Sequence, residues 1–241
     1  MANMKILALS SSRVGNGGYL ETAIPIIENF LGTTALTIAF IPFALVQDDK
    51  SAFVSTVRTA FSGLPYKIVE VTHENGVDVV NNADVIMVSG GNTFKLLHDL
   101  YSSGLLEVIK NKVKGGTPYI GWSAGSNITG ATICTTNDMP IVEPESFRAL
   151  GFFPFQINPH YYNVVLEGFN GETRDDRLRE FVQLNPEVPV VCLPEGTALL
   201  LEDNILKLTG RCSGILMGNE DSGLQKSEII AGSEISYLMQ S

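Results

Sequence analysis

Gly121-Trp122-Ser123-Ala124-Gly125 stands where a short apolar strand, Tyr119-Ile120, gives way to a run of small residues. A serine between glycines at a strand-to-helix turn has the layout of a nucleophile elbow. Small neighbours let the backbone take a tight turn, and the helix start beyond it offers N–H groups to an oxyanion. A serine hydroxyl is a weak nucleophile until a base takes its proton. An ordinary glycine-rich turn would read the same way, so the surrounding sequence has to supply the base and the sheet.

Outward from the elbow, short apolar runs alternate with longer amphipathic ones, the rhythm of parallel strands linked by helices. Strands are predicted at Ile6–Ser10, Thr37–Ile41, Lys67–Val71 and Asp84–Ser89, with helices at Tyr19–Leu31, Lys50–Ser62 and Phe94–Tyr101. Asn92 or Thr93 would cap the last of these. Beyond the elbow, Thr135-Thr136-Asn137-Asp138-Met139-Pro140 reads as a loop whose side chains bond their own backbone. Thr173–Leu184 returns to helix, Val188–Leu193 is a buried strand, and Ala198–Glu202 with Ile205–Thr209 forms a hairpin around Asp203-Asn204. Residues 211–241 are punctuated by glycine and serine and carry no readable pattern. The expected fold class is α/β, a mostly parallel sheet with helices on both faces, formed by residues 1–241 as one domain.

Composition narrows the function. The formal charge is −10 at pH 7, which gives no electrostatic reason to approach nucleic acid or an anionic membrane surface. An acidic substrate would then need a local cationic pocket. No window approaches the roughly 20 apolar residues of a membrane span, and the first residues run straight into a strand without a signal-peptide pattern. The three cysteines, Cys134, Cys192 and Cys212, lack C-x-x-C spacing and sit in apolar or small-residue settings. They read as reduced core thiols, which suits a cytoplasmic protein.

With three histidines in the chain, the choice of base is short. His73 lies in a loop and His98 on a leucine-rich helix, and both read as structural or solvated. His160 differs: in Gln156-Ile157-Asn158-Pro159-His160 a strand-like run is stopped by proline, leaving the imidazole at a strand end, where open α/β sheets bind ligands. Two carboxylates could orient it. Glu195, in Leu193-Pro194-Glu195-Gly196, ends an apolar strand; Asp138, in the polar loop, would give the order Ser, Asp, His found in α/β-hydrolases. Backbone donors for an oxyanion are Ala124 N–H together with Gly90 or Gly91. Arg174 follows a plausible N-cap, Thr173, and as a cation at the positive end of a helix dipole it wants a reason. Recognition of a substrate carboxylate is one, and a local ion pair to Glu172, Asp175 or Asp176 is the other.

Together, Ser89-Gly90-Gly91-Asn92-Thr93-Phe94, the elbow with Ser126-Asn127, Thr135 to Val142, Gln156 to His160 and Gly171-Glu172-Thr173-Arg174 resemble the peptidase E family of α-aspartyl dipeptidases. The resemblance runs from the first strand to about Glu202. It implies a serine peptidase on a flavodoxin-like sheet related to class I glutamine amidotransferases, with serine in place of their elbow cysteine. It further implies cleavage of small Asp-Xaa dipeptides in the cytoplasm, as a monomer or homodimer, with no metal, no cofactor and no nucleic-acid or membrane partner. Carried over by position, Ser123 is the nucleophile, His160 the base and Glu195 the orienting acid, with Asp138 as its rival. Ser89 stands where a third glycine is common, and Thr197 where a polar amide is common. A cyanophycinase-like β-aspartyl peptidase and a non-catalytic binding protein on the same fold are the alternatives.

Overall fold

Alternation of buried strands and helices dominates the first half of the chain. In the computed structural model, which describes residues 4–164, 167–168, 170–220 and 223–240, this half runs through five strands and six helices. The strands are β1 (Ile6–Leu9), β2 (Leu36–Ile41), β3 (Tyr66–Glu70), β4 (Val85–Val88) and β5 (Tyr119–Trp122). The helices are α1 (Ile24–Leu31), α2 (Ser51–Ala60), α3 (Gly76–Asn82), α4 (Thr93–Ser102), α5 (Leu105–Lys114) and α6 (Ala124–Asn127). The second half adds β6 (Gln156–Asn158), α7 (Arg174–Leu184), β7 (Val190–Cys192), β8 (Thr197–Glu202), β9 (Ile205–Gly210), β10 (Gly214–Glu220) and β11 (Gly223–Ile229). A 3-10 turn at Ser236–Gln240 follows.

The main sheet has the order β3-β2-β4-β5-β1-β8-β9. Its first five strands are parallel, and β8 and β9 add an antiparallel edge. Strands covered on both faces should be apolar throughout, and every residue of β1, β4 and β5 is buried. Leu7 and Leu9 point to one face with Ile27 and Phe30 of α1 and Val54 and Val57 of α2. Ile6 and Ala8 point to the other with Leu96, Leu97 and Leu100 of α4 and Ile109 and Val113 of α5. This is the α/β architecture expected, with helices on both faces.

A second sheet, β11-β10-β7-β6, is built from the carboxyl-terminal half. Leu178 and Val182 of α7 pack on Val190, Cys192 and Met217. β6 and β7 are parallel, with Gln156 opposite Val190 and Asn158 opposite Cys192. The apolar run at Val188–Leu193 is thus a strand, shortened by Pro189, and it belongs to this sheet rather than the main one.

Other departures have local causes. The helix expected from Tyr19 begins at Ile24, because Leu20 takes a positive φ of 58° and Pro25 sits in the first turn, where its missing N–H costs nothing. The tail beyond Arg211, described to Gln240 apart from residues 221 and 222, forms the β10–β11 hairpin. The hairpin at Asp203-Asn204 is as expected, with φ of 52° and 62° at the two turn residues. The cysteines need correction: Cys192 is buried, whereas Cys134 and Cys212 are exposed, since both lie in loops outside the strands. Among the described residues, no helix is long and apolar enough to cross a membrane.

Candidate active site

Ser123 follows β5 at φ 53° and ψ −111°. A positive φ at a non-glycine residue persists only where the surroundings over-determine it. Here Ser123 N–H donates to Leu9 C=O at 3.1 Å, and Ser123 C=O accepts from the N–H groups of Ser126 and Asn127. Ser126 Oγ donates to Leu9 C=O at 2.6 Å, and Tyr119 OH donates to Gly125 C=O at 2.6 Å. The two flanking glycines are required by close approach. A Cβ on Gly121 would lie 2.4 Å from the Gly125 carbonyl oxygen, and one on Gly125 would lie 2.3 Å from that of Val88. A Cβ on Gly90 would meet the Ser123 Cβ at 3.0 Å, so Gly90 abuts the elbow directly. Gly91, at φ +139°, instead backs onto the Ala44 carbonyl.

His160 comes two residues past β6 and Glu195 three residues past β7, so the parallel pairing of these strands brings both to one edge. His160 Nδ1 lies 2.9 Å from Glu195 Oε1. An ionised carboxylate can only accept, so Nδ1 carries the proton and Nε2 of the neutral ring is left as the acceptor. The His160 backbone, at φ 51°, donates its N–H to Ser10 Oγ at 3.0 Å. Asp138 is placed differently. Its Oδ2 accepts from Thr93 N–H at 2.7 Å and from Thr136 Oγ1 at 3.2 Å, at the amino terminus of α4, and among the described residues it makes no bond to His160. Asn92 caps that helix by accepting from Lys95 N–H.

Ser123, Ala124, Asp138, His160 and Arg174 line one pocket of about 200 Å³. Among the described residues no hydrogen bond joins Ser123 to His160; a nucleophile–base contact of this kind often tightens only around the substrate. Gly90, Gly91 and Glu195 lie outside the lining; Gly90 meets it through Ser123 and Glu195 through His160. Thr93, Asn127, Thr136 and Asn137 also line it and were not singled out by sequence. For Thr136 and Asn137 the signal is the polar loop itself, whereas Thr93 begins α4 and Asn127 ends α6. Asn158 Nδ2 donates to Thr135 C=O and Asn137 Oδ1, and Asn137 Nδ2 to Pro159 C=O, fastening that loop to the end of β6.

Arg174 sits at the first position of α7, capped by Thr173 and Asp176 in a reciprocal capping box. Its Nη1 donates to Asn158 Oδ1 at 3.0 Å and to His160 C=O at 3.3 Å. Burial, then the nearby Arg177, lower its pKa from the ordinary guanidinium value. The local ion pair weighed from sequence does not form. Asp176 takes Arg179 at 2.7 Å, Asp175 takes Lys226 and Tyr161 OH, and among the described residues no carboxylate pairs with Arg174. Burial and the bond to Asp175 push the Tyr161 hydroxyl up to about 12. His73 stacks on Phe43, and His98 Nδ1 contacts Glu143 C=O, both away from the pocket. Among the described residues, no group of three or more His, Cys, Asp or Glu could hold a metal ion.

A pocket at strand ends of a mostly parallel sheet, walled by an elbow serine and a carboxylate-bound histidine, is an arrangement that suits hydrolytic chemistry. Residues 6–209 match Peptidase family S51, and the chain belongs to that family. It is 45% identical to Peptidase E of Nostoc sp. over 241 residues, covering 98% of this chain and 97% of that protein. It is 48% identical to Peptidase E of Haemophilus influenzae (strain Rd) over 215 residues, covering 88% and 98%. Among solved structures, a protein described as a peptidase E from Listeria monocytogenes EGD-e aligns with TM-score 0.66 at 24% identity, over 87% of this chain and 100% of that one. A peptidase from an acI-B1 Actinobacterium aligns with TM-score 0.69 at 17% identity, over 97% and 96%. These two likenesses speak for the fold.

Proposed function

We propose that this peptidase is a serine-type dipeptidase that hydrolyses α-aspartyl dipeptides with a free amino-terminal aspartate, acting in the cytoplasm. The observation that carries the proposal is Arg174. It is a half-buried guanidinium without a carboxylate partner among the described residues, and it lines the same small pocket as Ser123 and His160. A bidentate fork of that kind suits a carboxylate side chain. The pocket volume of about 200 Å³ is below the roughly 300–1,000 Å³ of drug-sized ligand sites, which favours a substrate of one or two residues.

In this reading Ser123 Oγ attacks the peptide carbonyl as His160 Nε2 takes its proton. Glu195 holds the imidazole in the Nδ1–H tautomer and stabilises the imidazolium. Ala124 N–H, with Gly90 or Gly91 N–H, stabilises the oxyanion. His160 then protonates the leaving amine, and water, activated by the same imidazole, releases aspartate from Ser123. No step calls for a metal or cofactor. Asp138, bonded to Thr93 and Thr136 rather than to His160, shapes the pocket wall.

The test is hydrolysis of Asp-Leu beside Leu-Leu, N-acetyl-Asp-Leu, the β-linked isomer and the Ser123→Ala variant. Cleavage of Asp-Leu alone, lost in the variant, is expected. Preferential cleavage of the β-linked isomer would replace the reading with a cyanophycinase-like one. Binding of Asp-Leu without turnover in either protein would make the chain a binding protein.

A further inference from the structure

Two consecutive residues at the end of β1 hold both halves of the proposed catalytic machinery. Leu9 C=O accepts the N–H of Ser123 at 3.1 Å and the hydroxyl of Ser126 at 2.6 Å, which fixes the elbow. The next residue, Ser10, is fully buried, and its hydroxyl works in both directions. It donates to Leu193 C=O at 2.7 Å and accepts the N–H of His160 at 3.0 Å. Ser10 N–H donates to Thr197 C=O, so the residue itself is anchored to β8.

These contacts matter because nucleophile and base come from different sheets. Ser123 follows β5 in the main sheet, whereas His160 and Glu195 follow β6 and β7 in the second. The two sheets share no ladder, so the distance from Ser123 to His160 is not set by strand pairing. Two buried side chains bridge them: Asn127 Nδ2 of α6 donates to Ile157 C=O at 2.9 Å, and Ser10 Oγ meets His160 itself. The Ser10 hydroxyl ties Leu193, the residue just past β7, to the backbone of His160, and His160 holds a left-handed φ of 51° that a β-carbon residue rarely takes unaided.

We infer that Ser10 is a positioning residue for catalysis, an inference that rests on the proposed peptidase reading: its buried hydroxyl sets the reach of His160 toward Ser123. Without it, the His160 N–H loses its acceptor. Leu193 C=O keeps only Tyr161 N–H, at 2.9 Å. The His160 turn then relaxes and the imidazole is displaced, while Arg174 keeps its bond to Asn158.

The experiment compares wild type with Ser10→Ala and Ser10→Thr. Displacement by about an ångström costs roughly a hundredfold in rate, so Ser10→Ala should lower kcat on Asp-Leu roughly ten- to a hundredfold. KM should stay within about threefold, because substrate-binding groups are retained. Labelling of Ser123 by a fluorophosphonate should slow in step, and Ser10→Thr, which keeps the hydroxyl, should recover most of kcat. A folded Ser10→Ala enzyme with unchanged kcat, a loss confined to KM, or a threonine variant no better than alanine would each overturn the inference. If the alanine variant fails to fold, Ser10→Cys, a weaker hydrogen-bonding group, carries the same comparison. Should wild type cleave no peptide, the peptidase reading fails by itself. Hydrogen exchange of the His160 amide then decides separately: faster exchange in Ser10→Ala supports the positioning contact, and equal exchange refutes it.

Discussion

Replacing Glu195 with glutamine removes the charge that faces His160 while preserving shape. The Nδ1–Oε1 bond is 2.9 Å long, and its partners are 41% and 49% exposed. A hydrogen bond to a charged group contributes about 1.5–3 kcal/mol, and solvent screening at this exposure favours the lower part of that range. A loss of about 1.5–2 kcal/mol corresponds to roughly ten- to thirtyfold in kcat. That is far below the ~10⁴-fold effect of the analogous change in the serine protease triad, where the acid is buried. Asp138→Asn is the control. The amide oxygen can still accept from Thr93 N–H and Thr136 Oγ1, so kcat should change less than about threefold, with a small loss of helix-terminus stabilisation. Steady-state kinetics on Asp-Leu for both variants, with melting temperatures alongside, checks this. If Glu195→Gln stays within twofold of wild type while Asp138→Asn loses more than a hundredfold, the assignment from hydrogen bonding is wrong and Asp138 carries the relay.

Arg174→Gln should lower kcat/KM for Asp-Leu by about 2–3 kcal/mol, roughly a hundredfold, and for Asn-Leu by less than about threefold; equal losses on both peptides would remove carboxylate recognition from Arg174. Gly125→Ala puts a Cβ 2.3 Å from the Val88 carbonyl oxygen, so urea unfolding should show a destabilisation of about 1–3 kcal/mol, and an unchanged midpoint would contradict the close packing. A thiol reagent should modify Cys134 and Cys212 readily and Cys192 only on unfolding, because burial and then Asp175 raise the Cys192 thiol above its usual range; mass spectrometry of the labelled native protein reads the sites. Thr173 holds the Asp176 carboxyl down to about 2 through hydrogen bonds. A depressed carboxyl stabilises the fold above its unfolded value of about 3.9 and loses that effect as pH falls through about 2, so the melting-temperature deficit of Asp176→Asn should be present at pH 7 and vanish near pH 2.

Which features were legible in the sequence follows from how local their causes are. The parallel core declares itself because strands buried on both faces must be continuous apolar runs, as in Val85-Ile86-Met87-Val88. The elbow is equally local, since Gly121 and Gly125 are dictated by contacts within β4, β5 and α6. Helix α5 is absent from the elements expected from sequence, although a stripe of Leu105, Ile109 and Val113 at i, i+4 and i+8 is a signal that could have found it. Helix α3 carries no such signal, being only Gly76–Asn82 and rich in valine and asparagine, which are indifferent helix formers. Strand β11 lies at the edge of its sheet and interleaves glycine, lysine, serine and glutamate, so no apolar alternation marks it, and the apolar run of β10 is only Ile215-Leu216-Met217 between glycines.

The site divides along the same line. Ser123 and His160 stand out through nearby residues, a glycine two positions to either side of one and a proline directly before the other. The choice between Glu195 and Asp138 has no local signature. It depends on the parallel register of β6 with β7, which joins residues 35 positions apart, and on α4 drawing Asp138 to its own amino terminus instead. Arg174 was ambiguous for a related reason: three acids lie within two residues of it, and only the tertiary structure shows two of them taken by Arg179 and Lys226. Ser10 is the extreme case. In sequence it is merely the last residue of the expected strand Ile6–Ser10, and its partners Leu193 and His160 are 183 and 150 residues away. Where two sheets each contribute part of a catalytic set, a group that registers them can be remote in sequence from both, as Ser10 is, and its role is then read from the contacts that it closes.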